Sequence, residues 1–204
     1  MHFHAEVWIK NKLEIGSKEL EKQIEDIMLP YFEEGYDEEY NEDNIPTITL
    51  FDWYSIGGRW CGVHDKYDPT TNPYNKRLCF ICGGSGDREG WVWYDIDNVR
   101  HFKDEWSKKC NGCNVCQGTG MDDVHPSDYK PYPGDIIAVK DIPDDFNCYT
   151  LIIQNKVYLT DSDSYGGILS PECNPDNCFD GNVKNKLKEL GIEDGYLVTV
   201  DYHS

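Results

Sequence analysis

Cys79-Phe-Ile-Cys82-Gly-Gly84-Ser-Gly86 and Cys113-Asn-Val-Cys116-Gln-Gly118-Thr-Gly120 fit one pattern, Cys-x-x-Cys-x-Gly-x-Gly, with every fixed position filled. A two-residue gap lets both thiolates of one knuckle face the same ion, and two knuckles complete a tetrahedral four-cysteine site. The glycines let the backbone turn tightly behind the second cysteine, where a side chain would clash. The spacing therefore predicts one Zn2+ held by Cys79, Cys82, Cys113 and Cys116. Two other readings compete. The thiols could be unrelated buried groups, or Cys110-x-x-Cys113-x-x-Cys116 could hold an iron–sulfur cluster, although the usual trailing Cys-Pro is missing.

The two repeats resemble the cysteine-rich knuckles of DnaJ-type (Hsp40) chaperones. The resemblance covers only the knuckles and the piece between them, about a fifth of the chain. That family has four such repeats around two zincs, and the two repeats here suffice for one. The His-Pro-Asp tripeptide of a J-domain is absent, His125-Pro126-Ser127 being the nearest match. The resemblance implies the metal module without the chaperone activity, and a zinc-dependent co-chaperone is the last of the functional readings.

The 204 residues allow one domain, or one domain with an insertion, and a sizeable core. Lys and Arg total 19 against 38 Asp and Glu, a formal net charge of −19. Such a chain does not coat nucleic acid through its phosphates. It suits a basic protein surface, with simple solubilisation as the plain alternative. No apolar run reaches the ~20 residues that span a bilayer, and no signal-peptide core is visible. Nine cysteines, four of them in metal spacing, point to a reducing cytoplasm.

Along the chain, residues 2–10 alternate as a strand, with Phe3, Ala5, Val7 and Ile9 on one face and His2, His4, Glu6 and Trp8 on the other. A helix follows, capped by Ser17, with Leu20, Ile24, Ile27 and Met28 as its apolar stripe. The acidic run 33–43 carries Tyr36 and Tyr40 beside Glu38 and Glu39. It reads as a solvated loop, or as a partner-binding surface. Residues 47–54 read as a strand and 98–109 as a short helix, since Val99, Phe102 and Trp106 share a side. Strands are expected at 135–140, 149–154 and 156–160, the last two joined by a tight turn at Asn155-Lys156. Cys173 and Cys178 fall in a loop. Asp161-Ser-Asp163 reads as a turn rather than a calcium loop. Asn182 to Leu190 reads as a helix ended by Gly191, before a final strand.

Phe51-Asp52-Trp53-Tyr54-Ser55-Ile56-Gly57-Gly58-Arg59-Trp60 sets four aromatics around a Gly-Gly turn and one Arg. One reading is a bulged hairpin corner with Arg59 stacked on an indole. The other is a pocket, in which Asp52, Trp53, Arg59 and Trp60 hold an anionic, ring-bearing ligand. The phrase is similar to one in small, uncharacterised tailed-phage proteins, which also tend to end in a Val-Asp-x-His strand, here Val200-Asp201-Tyr-His203. That resemblance implies a viral origin and names no activity. Pairing of the terminal strands would bring His2 and His4 near Asp201 and His203, as an acid–base or metal site or as idle surface histidines.

The expectation is an α+β chain: a mainly antiparallel sheet with two helices and an inserted four-cysteine zinc-knuckle module at 79–120, between sheet portions 1–78 and 121–204. The leading functional reading is an acidic, zinc-binding phage protein in the host cytoplasm, which inhibits a basic host protein such as a nucleic-acid-binding defence factor. It would bind neither nucleic acid nor membrane. The alternative is a protein that binds or hydrolyses a nucleotide-like ligand through Arg59 and its aromatic neighbours. A closed four-cysteine zinc does no chemistry itself, which favours binding over catalysis.

Overall fold

The computed structural model describes residues 1–32, 50–87, 91–94, 96–97, 100–103, 112–113, 115–160 and 178–204. In chain order its elements are β1 (His2–Ile9), α1 (Lys18–Met28), β2 (Trp53–Ile56), β3 (Lys76–Leu78), β4 (Trp91–Tyr94), β5 (Arg100–Lys103) and β6 (Met121–Asp123). Then come β7 (Ile136–Ala138), β8 (Thr150–Ile153), β9 (Lys156–Thr160), β10 (Cys178–Phe179), α2 (Val183–Glu189) and β11 (Tyr196–His203). They divide into two compact units, Met1–Pro69 with Ser127–Ser204, and Thr70–Pro126. The chain is α+β, with two α-helices and a mainly antiparallel sheet.

The first unit is built on a seven-stranded sheet in the order β10-β9-β8-β1-β11-β2, with β7 also on β11. β1 and β11 form its centre and pair antiparallel, His2 opposite His203 and Ile9 opposite Tyr196. Along the other edge of β11, β7 takes Tyr196 to Val198 and β2 takes Val200 to His203. β8 joins β1 in parallel, as β10 joins β9.

Period-two alternation decides what each face buries. Ala5, Val7 and Ile9 of β1 and Val198, Val200 and Tyr202 of β11 pack with Ile152, Val157 and Leu159 against Leu20, Ile24 and Met28 of α1. That helix starts where Ser17 Oγ accepts the Leu20 N–H at 3.2 Å. It gives way at Pro30 to a 3-10 turn. Each of its three fully buried side chains stabilises by about 1.5–3 kcal/mol. On the opposite face, Leu151, Ile153, Tyr158, Phe179 and Leu197 pack with Val183 and Leu187 of α2. Asn182 caps α2, its side chain accepting the Asn185 N–H at 2.9 Å, and Gly191 follows with φ +70°.

Four expectations shift. The tight turn is Gln154-Asn155 rather than Asn155-Lys156: both have positive φ, 50° and 62°, which a two-residue primed turn requires. The strand expected at 47–54 begins at Trp53 and runs to Ile56, because the pairing of Trp53 to Ile56 with β11 sets its limits. Within 98–109, Arg100 to Lys103 form a strand antiparallel to β4. A lone helix of that length is marginal without tertiary support, whereas the hairpin supplies backbone partners at once. Cys178 lies in a strand, beside Leu159. Cys173, Cys110, the Asp161-Ser-Asp163 turn and the run containing Tyr36, Glu38, Glu39 and Tyr40 lie outside the described residues. Among the described residues no helix is long and apolar enough to cross a membrane.

Candidate functional site

In the second unit the two knuckles answer each other. The Cys79 N–H donates to Gly120 O at 2.9 Å, and the Cys113 N–H donates to Gly86 O at 2.7 Å. Each knuckle's first cysteine is thus tied to the last glycine of the other. A side chain on those glycines would break the exchange. Their φ values are +76° at Gly86 and +74° at Gly120, and a Cβ would lie 2.4 Å from Gly118 O and 2.3 Å from Gly84 O respectively. The glycine pattern is therefore a packing requirement between two backbones.

The exchange brings Cys79, Cys82, Cys113 and Cys116 together with all four sulfurs within 4.8 Å of one another, and none is in a disulfide. The Sγ–Sγ distances are 3.8 Å for both Cys79–Cys113 and Cys82–Cys116. Thiolates about 2.3 Å from one tetrahedrally ligated ion have edges of about 3.8 Å. The cluster can hold a metal ion as it stands. Its electrostatics favour thiolates: burial pushes Cys82 up, but the Gly86 and Gly84 amides outweigh it and bring the thiol down to about 7. Cys113 also falls, chiefly through the Cys116 N–H, while burial raises Cys79. The Gly120 N–H donates to Cys116 Sγ at 3.2 Å.

In the first unit, the residues of the Phe51–Trp60 corner divide between two neighbourhoods. Asp52 accepts from His203 Nδ1 at 2.8 Å, which holds its carboxyl below the usual range. Trp53 is partly exposed and lies edge-on to His2, with centroids 5.8 Å apart. The Arg59 N–H donates to Asp201 Oδ2 at 3.1 Å, and its Nε reaches Ser127 Oγ at 3.4 Å. Trp60 turns the other way and stacks on His4, with centroids 5.0 Å apart and an interplanar angle of 18°. Asp52, Trp53 and the Arg59 main chain therefore meet the terminal strands, while Trp60 belongs to a separate cluster. Gly58 permits the corner, because a Cβ there would lie 2.5 Å from that of Asp201.

The terminal histidines divide too. His2 Nδ1 lies 3.0 Å from Asp201 Oδ1, and His203 pairs with Asp52. His4 instead donates Nε2 to Glu6 Oε1 at 2.7 Å. Glu6 is the residue that the sequence left in plain alternation, and it is fully buried. Its Oε1 also accepts from Thr199 Oγ1 at 3.0 Å and His64 Nε2 at 3.0 Å. His64 Nδ1 lies 2.8 Å from the Gly134 carbonyl. The Gly134 carbonyl only accepts, so Nδ1 carries a proton, while Nε2 faces Glu6 Oε1 and, at 3.2 Å, the Thr199 hydroxyl. Burial opposes both charges, yet each partner holds the other: Glu6 lies at about 2, and His64 is raised. The available signal was Trp8, a large apolar side chain in the same alternation, which implies that this face is covered.

The chain matches no protein family model, no curated protein and no solved structure.

Proposed function

We propose that the protein is a zinc-stabilised binding protein, phage-encoded, that docks on a basic host protein and inhibits it. The observation that carries this reading is the surroundings of the cysteine cluster. A four-thiolate ion has no open position for water or substrate, so its work is to fix the chain around it. The chain it fixes is apolar on the outside: Leu78 is 65% and Phe80 70% exposed, and Ile81, Val115 and Met121 are also open to solvent. Leu78 stands opposite Met121 in the β3–β6 ladder, and Val115 and Met121 line one shallow groove with Lys76, Asp122 and Asp123. Aromatic and flexible apolar side chains of this kind anchor protein interfaces. The net charge of −19 favours a basic partner and repels nucleic acid.

Zinc is favoured over iron because a closed, tetrahedral tetrathiolate with no redox task is the usual structural zinc arrangement. Elemental analysis of purified protein should give one zinc per chain, and iron in its place would end that part of the reading. Capture from host lysate at low and high salt should then yield a basic partner whose binding weakens with salt and is competed by RNA or DNA. Phe80→Ser should abolish capture while keeping the zinc. Capture unaffected by Phe80→Ser and by salt would refute the docking surface.

A further inference from the structure

The end of the β1–β11 pair carries two histidines that the zinc unit does not need. Register places His2 opposite His203, with Asp201 two pairs inward on the same face and Trp53 opposite His203 on the far edge of β11. Each ring gives its Nδ1 to a carboxylate: His2 to Asp201 at 3.0 Å and His203 to Asp52 at 2.8 Å. Asp201 cannot swing away, because it is fully buried and its other oxygen accepts the Arg59 N–H at 3.1 Å. A carboxylate on Nδ1 fixes the ring, selects its tautomer and leaves Nε2 as the working nitrogen. The ring centroids are 5.2 Å apart with an interplanar angle of 66°, and among the described residues no hydrogen bond engages either Nε2.

We propose that His2 and His203 are a general acid–base pair that hydrolyses a compact phosphodiester without a metal. Among the described residues only the four cysteines gather three or more ligating atoms within 4.8 Å, so the geometry at this pair suits proton transfer rather than ion binding. The nucleophile in this proposal is water. Its oxygen forms the new bond to phosphorus while its proton passes to His2 Nε2. The bond from phosphorus to the leaving oxygen breaks, and that oxygen takes the proton from His203 Nε2. His2 is assigned as the base because Asp201, the more buried carboxylate, best stabilises the imidazolium that forms. Asp201 and Asp52 are positioning residues. Arg59, whose main chain lies against Asp201 and whose Nε reaches Ser127 Oγ at 3.4 Å, fixes the corner. Trp53, beside His2, offers a face for a substrate ring. The −19 charge argues for a small diester over a long polyanion.

The test uses full-length, zinc-loaded protein with bis(4-nitrophenyl) phosphate and, separately, 2′,3′-cyclic AMP, in EDTA, from pH 5 to 9. The expected result is a bell-shaped rate profile, with kcat about 100-fold lower in His2→Gln and in His203→Gln. The melting temperature and zinc content should not change in either variant. Asp52→Asn, at an exposed carboxylate, should lower kcat with little change in KM and move one limb of the profile. A wild-type rate no higher than that of the His2→Gln/His203→Gln variant with both probes overturns the proposal. So does hydrolysis that EDTA abolishes while the cysteine-bound zinc remains.

Discussion

Glu6→Gln isolates the charge of the buried carboxylate while keeping its size and an oxygen for the Thr199 hydroxyl. In the native protein Glu6 Oε1 lies 3.0 Å from Nε2 of His64, which the carboxylate holds toward its charged form and whose other nitrogen is committed to the Gly134 carbonyl. Removing one partner of a buried pair costs about 3–5 kcal/mol, because the remaining charge is uncompensated. The retained hydrogen-bonding shape puts Glu6→Gln near the lower end, about 3 kcal/mol. For a protein of this size that is a fall in Tm of about 6–12 °C. The pH dependence is the sharper readout. Glu6 is held below its ordinary value of 4.5, so its contribution is present above that value and is lost as pH falls through about 2. His64 is raised above 6.5, so its contribution is complete below 6.5 and is lost as pH rises through the higher, folded-state value. Wild-type stability should therefore be best near pH 5–6 and decline on the alkaline side. Urea titrations at half-unit steps from pH 5 to 9 would measure it. Glu6→Gln should abolish that alkaline decline, and His64→Gln should add little further loss in its background. A variant within about 0.5 kcal/mol of wild type, with parallel pH curves, would refute the charged pair.

Gly120→Ala should lower metal occupancy and the melting temperature of residues 70–126, since its Cβ would meet Gly84 O at 2.3 Å; full metal content by elemental analysis would contradict this. Cys82→Ser should release the ion and remove hydrogen-exchange protection from the Thr70–Pro126 unit, while the sheet of the first unit keeps its own. If the acidic run steers a basic partner, replacing Glu38 and Glu39 with Gln should slow association and leave dissociation nearly unchanged, whereas Tyr36→Ala or Tyr40→Ala should speed dissociation. Surface plasmon resonance separates the two, and unchanged rate constants in all variants would remove that run from the interface.

The knuckles were legible because their information is local. A two-residue gap and a glycine where two backbones touch are fixed by covalent geometry, and both show in a single line of sequence. β1 and α1 were legible for the same reason, through their 2.0 and 3.6 periods. Val99, Phe102 and Trp106 misled because a spacing of three and four is also produced by chance in an aromatic-rich hairpin. The partner strand at Trp91 to Tyr94 decides the matter. The Glu6 cluster was not legible. Alternation says which side chains share a face, but not what covers it. The cover comes from His64, 58 residues away, on a loop with no periodic pattern. In the corner phrase, Arg59 and Trp60 lie at successive positions, yet their side chains serve different clusters, which a linear phrase does not reveal.

Three fully buried carboxylates hold the loop after β2. Asp201 takes the Arg59 N–H, Asp135 takes the Gly62 N–H at 2.6 Å, and Glu6 takes His64. Charge-assisted bonds of this kind contribute about 1.5–3 kcal/mol each, comparable to a buried leucine. They are also directional, so they fix where the loop sits, which apolar contact alone would not. Asp201 has a second task. One oxygen holds the loop while the other holds His2, so the two cannot move independently. Gly58→Ala tests that coupling, because its new Cβ would press on the Asp201 Cβ from 2.5 Å at a residue with φ +52°. The expected outcome is a shift in the imidazole nitrogen signals of His2 by NMR, with those of His203, held by Asp52 just before β2, left in place. If the His2 signals stay unchanged while the loop loses hydrogen-exchange protection, Asp201 holds the two groups separately. The corner would then not transmit loop position to the histidine.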